Sequence, residues 1–159
     1  MSGYFEIGIY HPKTIENIGT LWRSAYQLGA AGIFTIGERY KHQSSDTHKT
    51  PSNIPLRHYA DFAEFIAALP VGAQLVGVEF PGQSLSQFQH PRMAVYLLGA
   101  EDAGLPQSVI DVCQFTVAIE SVRQQSYNVA VAGSLVMWHR LCQRPGRVLA
   151  RSGQKEGIE

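Results

Sequence analysis

The sequence predicts an α/β fold, a mostly parallel sheet sandwiched by helices. Short runs of aromatic and β-branched residues alternate with segments of helical spacing. The first strand, helix and strand fit within about thirty residues, the size of one βαβ unit. The run 92–99, RMAVYLLG, is nearly all apolar, as a strand covered on both faces must be.

The elements follow in order. Residues 4–10, YFEIGIY, read as a strand that Pro12 closes. From about 17 to 28, Ile18, Leu21, Trp22, Ala25 and Leu28 recur at three and four residues, one face of a helix. Thr14 is placed to cap it and Gly29 to end it. GIFTIG, 32–37, is the second strand. Residues 38–55 are polar and form the longest structureless stretch, either a plain surface loop or a binding loop. Residues 60–69 give a helix and 74–80 a strand. Residues 105–112 give a short helix starting at Pro106, and 115–120 a last strand. The final helix runs from about 128 to 143. Its VAVAGSLVMW is apolar all round, so it is buried on several sides or also meets another subunit.

Length and composition fit a single domain over 1–159, with a tail from about 144 expected to be loosely held. At 45% hydrophobic and 16% charged, the chain has matter for a core and too little charge for a disordered protein. Formal net charge is zero, which excludes a strongly basic nucleic-acid coat but not a local basic patch. Cys113 and Cys142 have no zinc-type spacing and are expected to be free, buried thiols. The six histidines make no metal-binding pattern, so no metal is expected. No apolar run approaches the roughly 20 residues of a membrane span. Without a recognisable signal peptide, the expected location is the cytoplasm.

Ligands of open α/β sheets gather at the carboxyl ends of the strands. Three segments there carry chemistry. Asn17-Ile18-Gly19 precedes Arg23, which shares a helix face with Gly19. An Arg on such a turn either grips a phosphate with its planar fork or simply faces solvent. Leu98-Gly99-Ala100-Glu101-Asp102-Ala103-Gly104-Leu105 follows the buried strand, and its glycines allow a tight turn or close approach to a ligand. It is neither a dinucleotide fingerprint nor a P-loop. Ser126-Tyr127-Asn128 opens the last helix, with Ser126 a plausible N-cap and Asn128 offering donors and an acceptor.

Together and in this order, the three segments resemble the SpoU (TrmH-type) branch of the SPOUT superfamily of RNA 2′-O-methyltransferases, in its minimal single-domain form. Asn17, Gly19 and Arg23 match the first motif. Leu98, Gly99, Glu101, Gly104 and Leu105 match the second, and Ser126, Asn128 and residues 129–133 the third. The resemblance spans nearly the whole chain. It implies a C-terminal trefoil knot, a homodimer formed through helices near it, and S-adenosylmethionine as cofactor. By the same resemblance Val78, Leu98, Gly99, Ile119, Ser126 and Tyr127 line the cofactor pocket. Arg23 would clamp an RNA phosphate, with Asn17, Glu101, Ser126 and Asn128 fixing Arg23 and the target ribose. An Arg is nearly always protonated, which suits an electrostatic clamp better than a general base. Arg39, Lys41 and Lys49, clustered in the polar segment, are expected to join Arg23 in facing RNA.

The implied reaction is methylation of a ribose 2′-hydroxyl, with tRNA the expected substrate. The alternatives are an inactive knotted RNA-binding or assembly protein, or a SPOUT enzyme acting on rRNA or a base nitrogen. A nucleotide-dependent small-molecule enzyme fits poorly without a GxGxxG run.

Overall fold

The computed structural model describes residues 3–38 and 54–144. Arg39, Lys41 and Lys49, and the tail expected to be loose, lie outside the described residues. The elements are β1 (Tyr4–Tyr10), α1 (Ile15–Gln27), β2 (Gly32–Ile36), β3 (Leu56–Tyr59), α2 (Phe62–Ala67) and β4 (Gln74–Ser84). A short 3-10 turn (Leu85–Gln87), β5 (Met93–Leu98), α3 (Gln107–Ile110), β6 (Phe115–Ala118) and α4 (Val129–Gln143) follow. The sheet order is β3-β2-β1-β5-β4-β6, and every neighbouring pair is parallel. All carboxyl ends therefore share one edge.

Side-chain alternation along the central strands builds two cores. On one face Phe5, Ile7, Ile9, Tyr96 and Leu98 pack under α1 and α4, meeting Leu21, Trp22 and Met137. On the other, Phe34, Ile36, Val95 and Leu97 meet Phe65, Leu105 and Val109. The expected stripe Ile18, Leu21, Trp22 and Ala25 is buried on α1, and Gly29 ends that helix at φ 91.

Several details differ from expectation. Thr14 stands at the N-cap of α1, but its side chain makes no capping bond. β3 escapes the sequence reading because LRHY is short, polar and an edge strand with no apolar alternation. β4 runs past residue 80 to Ser84 through an irregularity between Val78 and Gln83. The cysteines are not both buried. Cys113 is half-buried, bonding to the Val109 carbonyl, and desolvation pushes its thiol up to about 11. Cys142 is exposed on α4. That helix buries Val129, Ala130, Gly133, Val136 and Met137, while Val131 and Trp138 stay exposed on its other side.

The amino edge of the sheet is held by Arg140 from α4. Its guanidinium donates to the carbonyls of Pro91 (2.7 Å) and Arg92 (3.0 Å) and to the Tyr96 hydroxyl (3.0 Å). It also lies 4.8 Å from the centre of the Phe5 ring. This partnering accommodates a cation that is only 2% exposed. His90 shares hydrogen bonds with Tyr96 (2.7 Å) and His139 (2.8 Å). Burial, then the proximity of His139, Arg140 and Arg144, lowers its pKa to about 3.

The unfolded chain binds a proton at this histidine near the usual 6.5, while the folded chain does not until about 3. Stability is therefore expected to fall as pH drops through that window, by up to about 1.4 kcal/mol per pH unit from this group. Denaturant midpoints between pH 7 and 4 are the measurement. His90→Gln should flatten the slope.

Candidate functional site

The carboxyl ends of β4, β5 and β6 and the loops that leave them enclose a cavity of about 800 Å³. That volume lies within the range of small-molecule sites. Val78, Leu98, Gly99, Ile119, Ser126 and Tyr127 all line it. Val78 and Leu98 are register partners on β4 and β5, so their neighbourhood follows directly from strand pairing.

Backbone geometry shapes the wall between β5 and α3. A Cβ on Gly99 would lie 2.5 Å from the Gly104 carbonyl carbon, so any side chain there would push the turn open. Gly104 has φ 66, and its amide closes the turn on the Ala100 carbonyl at 3.0 Å. The opposite wall, 119–127, is pinned by the Tyr127 hydroxyl, which donates to the Glu120 carbonyl at 2.7 Å.

The three sequence motifs meet in one hydrogen-bonded chain. Asn17 Nδ2 donates to Glu101 Oε1 at 2.9 Å, and the Lys13 amide donates to Oε2 at 3.1 Å. Asn128 Nδ2 donates to Asn17 Oδ1 at 2.9 Å. Asn128 Oδ1 in turn accepts the Ala130 amide (2.9 Å) and the Val131 amide (3.2 Å). Asn128 is therefore the N-cap of α4, the place expected for Ser126, because its longer amide can cap and reach Asn17 together. Burial opposes ionisation of Glu101. Hydrogen bonds from Asn17 and from the Lys13 and Thr14 backbone outweigh it and hold the carboxyl below its usual range.

Arg23 sits apart. It is exposed on α1 and is not among the residues lining the cavity. Gly19 on the same face has nothing within 4 Å of a Cβ position among the described residues, so this surface is open. Asp102 from the second segment and Arg123 also line the cavity, as do Glu79 and Glu120, which sequence reasoning gave no role. Glu79 directly follows Val78 at the strand end, which was the available signal. Among the described residues no group of three or more His, Cys, Asp or Glu could hold a metal. No helix there is long and apolar enough to cross a membrane.

Comparison with known proteins places these features in context. The model of the SpoU rRNA Methylase family matches residues 4–138. The chain is 28% identical over 134 residues to the tRNA (guanosine(18)-2'-O)-methyltransferase TARBP1 of Mus musculus, covering 77% of this chain but 8% of that protein. A solved structure concerned with the 2-OH methylation of C/U34 on tRNA superposes with a TM-score of 0.80 at 26% identity, covering 92% of this chain and all (100%) of that one. The AdoMet-bound rRNA methyltransferase from Sinorhizobium meliloti gives a TM-score of 0.74 at 25% identity, over 89% of this chain and 57% of that chain.

The Asn17 junction is directly testable. Asn17→Asp removes the donor to Glu101 and sets a second carboxylate against it. Like charges at this spacing disfavour joint ionisation. The variant is expected to lose about 1–3 kcal/mol at pH 7, and less at pH 4, where one carboxyl is protonated. Urea unfolding at both pH values reads the difference.

Proposed function

The chain belongs to the SpoU rRNA methylase family, and on that premise we propose that it methylates a ribose 2′-hydroxyl of tRNA using S-adenosylmethionine. The observation that carries this reading is the hydrogen-bonded chain Glu101–Asn17–Asn128, which brings three distant motifs together beside the 99–104 wall of a cavity sized for the donor.

The donor suits the site. Val78, Leu98 and Ile119 offer apolar contact to a flat base, and the acidic side chains of the lining suit a cation. When bound, S-adenosylmethionine supplies a methyl on a sulfonium leaving group. Glu101, Asn17 and Asn128 hold the 99–104 loop, the start of α1 and the start of α4 in fixed relation. Alignment of the hydroxyl with the methyl thus costs little reorganisation. Transfer of that methyl to the 2′-oxygen would break the S–C bond and release the hydroxyl proton to water. Arg23, exposed beside open Gly19, clamps the phosphate next to the target ribose and favours the developing oxyanion. Arg39, Lys41 and Lys49 extend the RNA contact. The chain enters that segment just after the carboxyl end of β2, at the same sheet edge as the cavity.

Two copies pair through the outer face of α4, next to α1. Trp138 is 57% exposed there and Val131 46%, an apolar surface suited to a second copy. The C-terminal part forms the trefoil knot. Its support is that the chain leaves edge strand β6, lines the same cavity as residues of β4 and β5 over 119–127, and then starts α4 at Asn128 against Asn17. A cytoplasmic location accords with an RNA substrate.

The test is incubation of the protein with labelled donor and bulk tRNA or rRNA, followed by nucleoside mass spectrometry. One 2′-O-methylated nucleoside in tRNA is expected. Absence of both methyl transfer and donor binding by calorimetry would refute the reading. Arg23→Lys should lower turnover about tenfold or more, since the forked contact is lost. Donor affinity should hold, because Arg23 lies outside the cavity lining. Trp138→Glu is expected to shift sedimentation from dimer to monomer.

A further inference from the structure

Glu79 stands where the pairing of β4 with β5 ends, at the irregularity that follows Val78, half-buried in the cavity wall. Its carboxylate is held from two sides. Oε1 accepts the Phe80 amide at 3.0 Å, and Oε2 accepts the Leu105 amide at 2.7 Å. The two amides come from separate segments, so the plane of the carboxylate is fixed before any ligand arrives. The side chain also fills the space a Cβ on Gly104 would need, which gives that glycine a steric reason beyond its φ.

An ionised carboxylate has about four acceptor positions and no donor. The two amides take one position on each oxygen. What remains is acceptor capacity on each oxygen of a preorganised group that lines the cavity together with Val78, Leu98 and Gly99. The matching ligand group is a pair of adjacent hydroxyl donors. Parallel α/β sheets meet ribose in this way, with an acid at a strand's carboxyl end accepting from the sugar hydroxyls.

We propose that Glu79 accepts hydrogen bonds from the ribose 2′- and 3′-hydroxyls of the donor's adenosine, and so selects a ribonucleoside donor. This inference rests on the donor-binding reading above. The competing partner for a carboxylate is the donor's ammonium group. Glu101, Asp102 and Glu120 also line the cavity, so the test must separate Glu79 from these acids.

Calorimetry with S-adenosylhomocysteine, its 2′-deoxy and 3′-deoxy analogues, and 5′-methylthioadenosine separates the roles. The last keeps the ribose and lacks the amino acid. The wild-type protein is expected to bind each deoxy analogue about tenfold or more weaker than S-adenosylhomocysteine. Glu79→Gln should weaken S-adenosylhomocysteine and methylthioadenosine alike and shrink the deoxy discrimination severalfold. Glu79→Asp, which keeps the charge but is too short to hold both amides and the diol, should fall between. Wild-type indifference to both hydroxyls overturns the inference with no variant needed. So does full discrimination retained in Glu79→Gln, or methylthioadenosine binding unaffected by the substitution, which would assign the ammonium instead. No binding of S-adenosylhomocysteine or S-adenosylmethionine by the wild-type protein overturns the functional reading as well.

Discussion

The junction of Glu101, Asn17 and Asn128 is the constraint on which the site depends. Each member belongs to a different segment, separated by 84 and 111 residues along the chain. Each also does local work. Asn128 caps α4, Glu101 receives the amide at the entry to α1, and Asn17 bridges the two. Removing one partner leaves the others with unmet polar groups, which is why a small junction can fix three loops. Its ionised Glu101 is stabilised by donors rather than by a cation, so the junction does not consume the positive charge that an RNA substrate requires.

The two edges of the sheet divide the labour. At the amino edge, Arg140, Tyr96, His90 and His139 form a buried polar cluster that locks α4 to β1 and β5. At the carboxyl edge the same helix begins at Asn128, beside the cavity. α4 is thus tethered at both ends, and Gly133 lets it approach Leu21, Leu98 and Ile7 closely in between. A rigid helix spanning the sheet carries one wall of the site on a firm base, as preorganised sites need.

Most of the fold was legible because its signals are local. The stripe Ile18, Leu21, Trp22, Ala25 and the apolar run at 92–99 report burial by periodicity alone. β3 was not legible, since LRHY owes its strand to pairing with Ile33–Ile36 rather than to its own pattern. The cap of α4 was misplaced by two residues, because Ser126 and Asn128 are equally good caps in sequence. Only the contact with Asn17 separates them. The cavity's lining residues were legible through resemblance, whereas Glu79 was not. Its importance comes from two amide contacts, one of them to Leu105, 26 residues away. Exposure of Cys142 was hidden for a related reason: α4 is apolar on both sides, and sequence does not say which side the chain itself covers.

The distribution of charge bears on how a chain of zero net charge would serve the polyanionic substrate proposed for it. Within the cavity, Glu79, Glu101, Asp102 and Glu120 outnumber Arg123. Such a lining attracts a cationic donor and repels phosphate. Phosphate contacts must then lie outside it. Arg23 does, on the exposed face of α1. A net charge of zero is therefore compatible with an acidic cavity and an exposed cation on α1 outside it. On the proposed function, donor and RNA would be held by opposite electrostatics, the acidic cavity taking the one and exposed cations such as Arg23 the other.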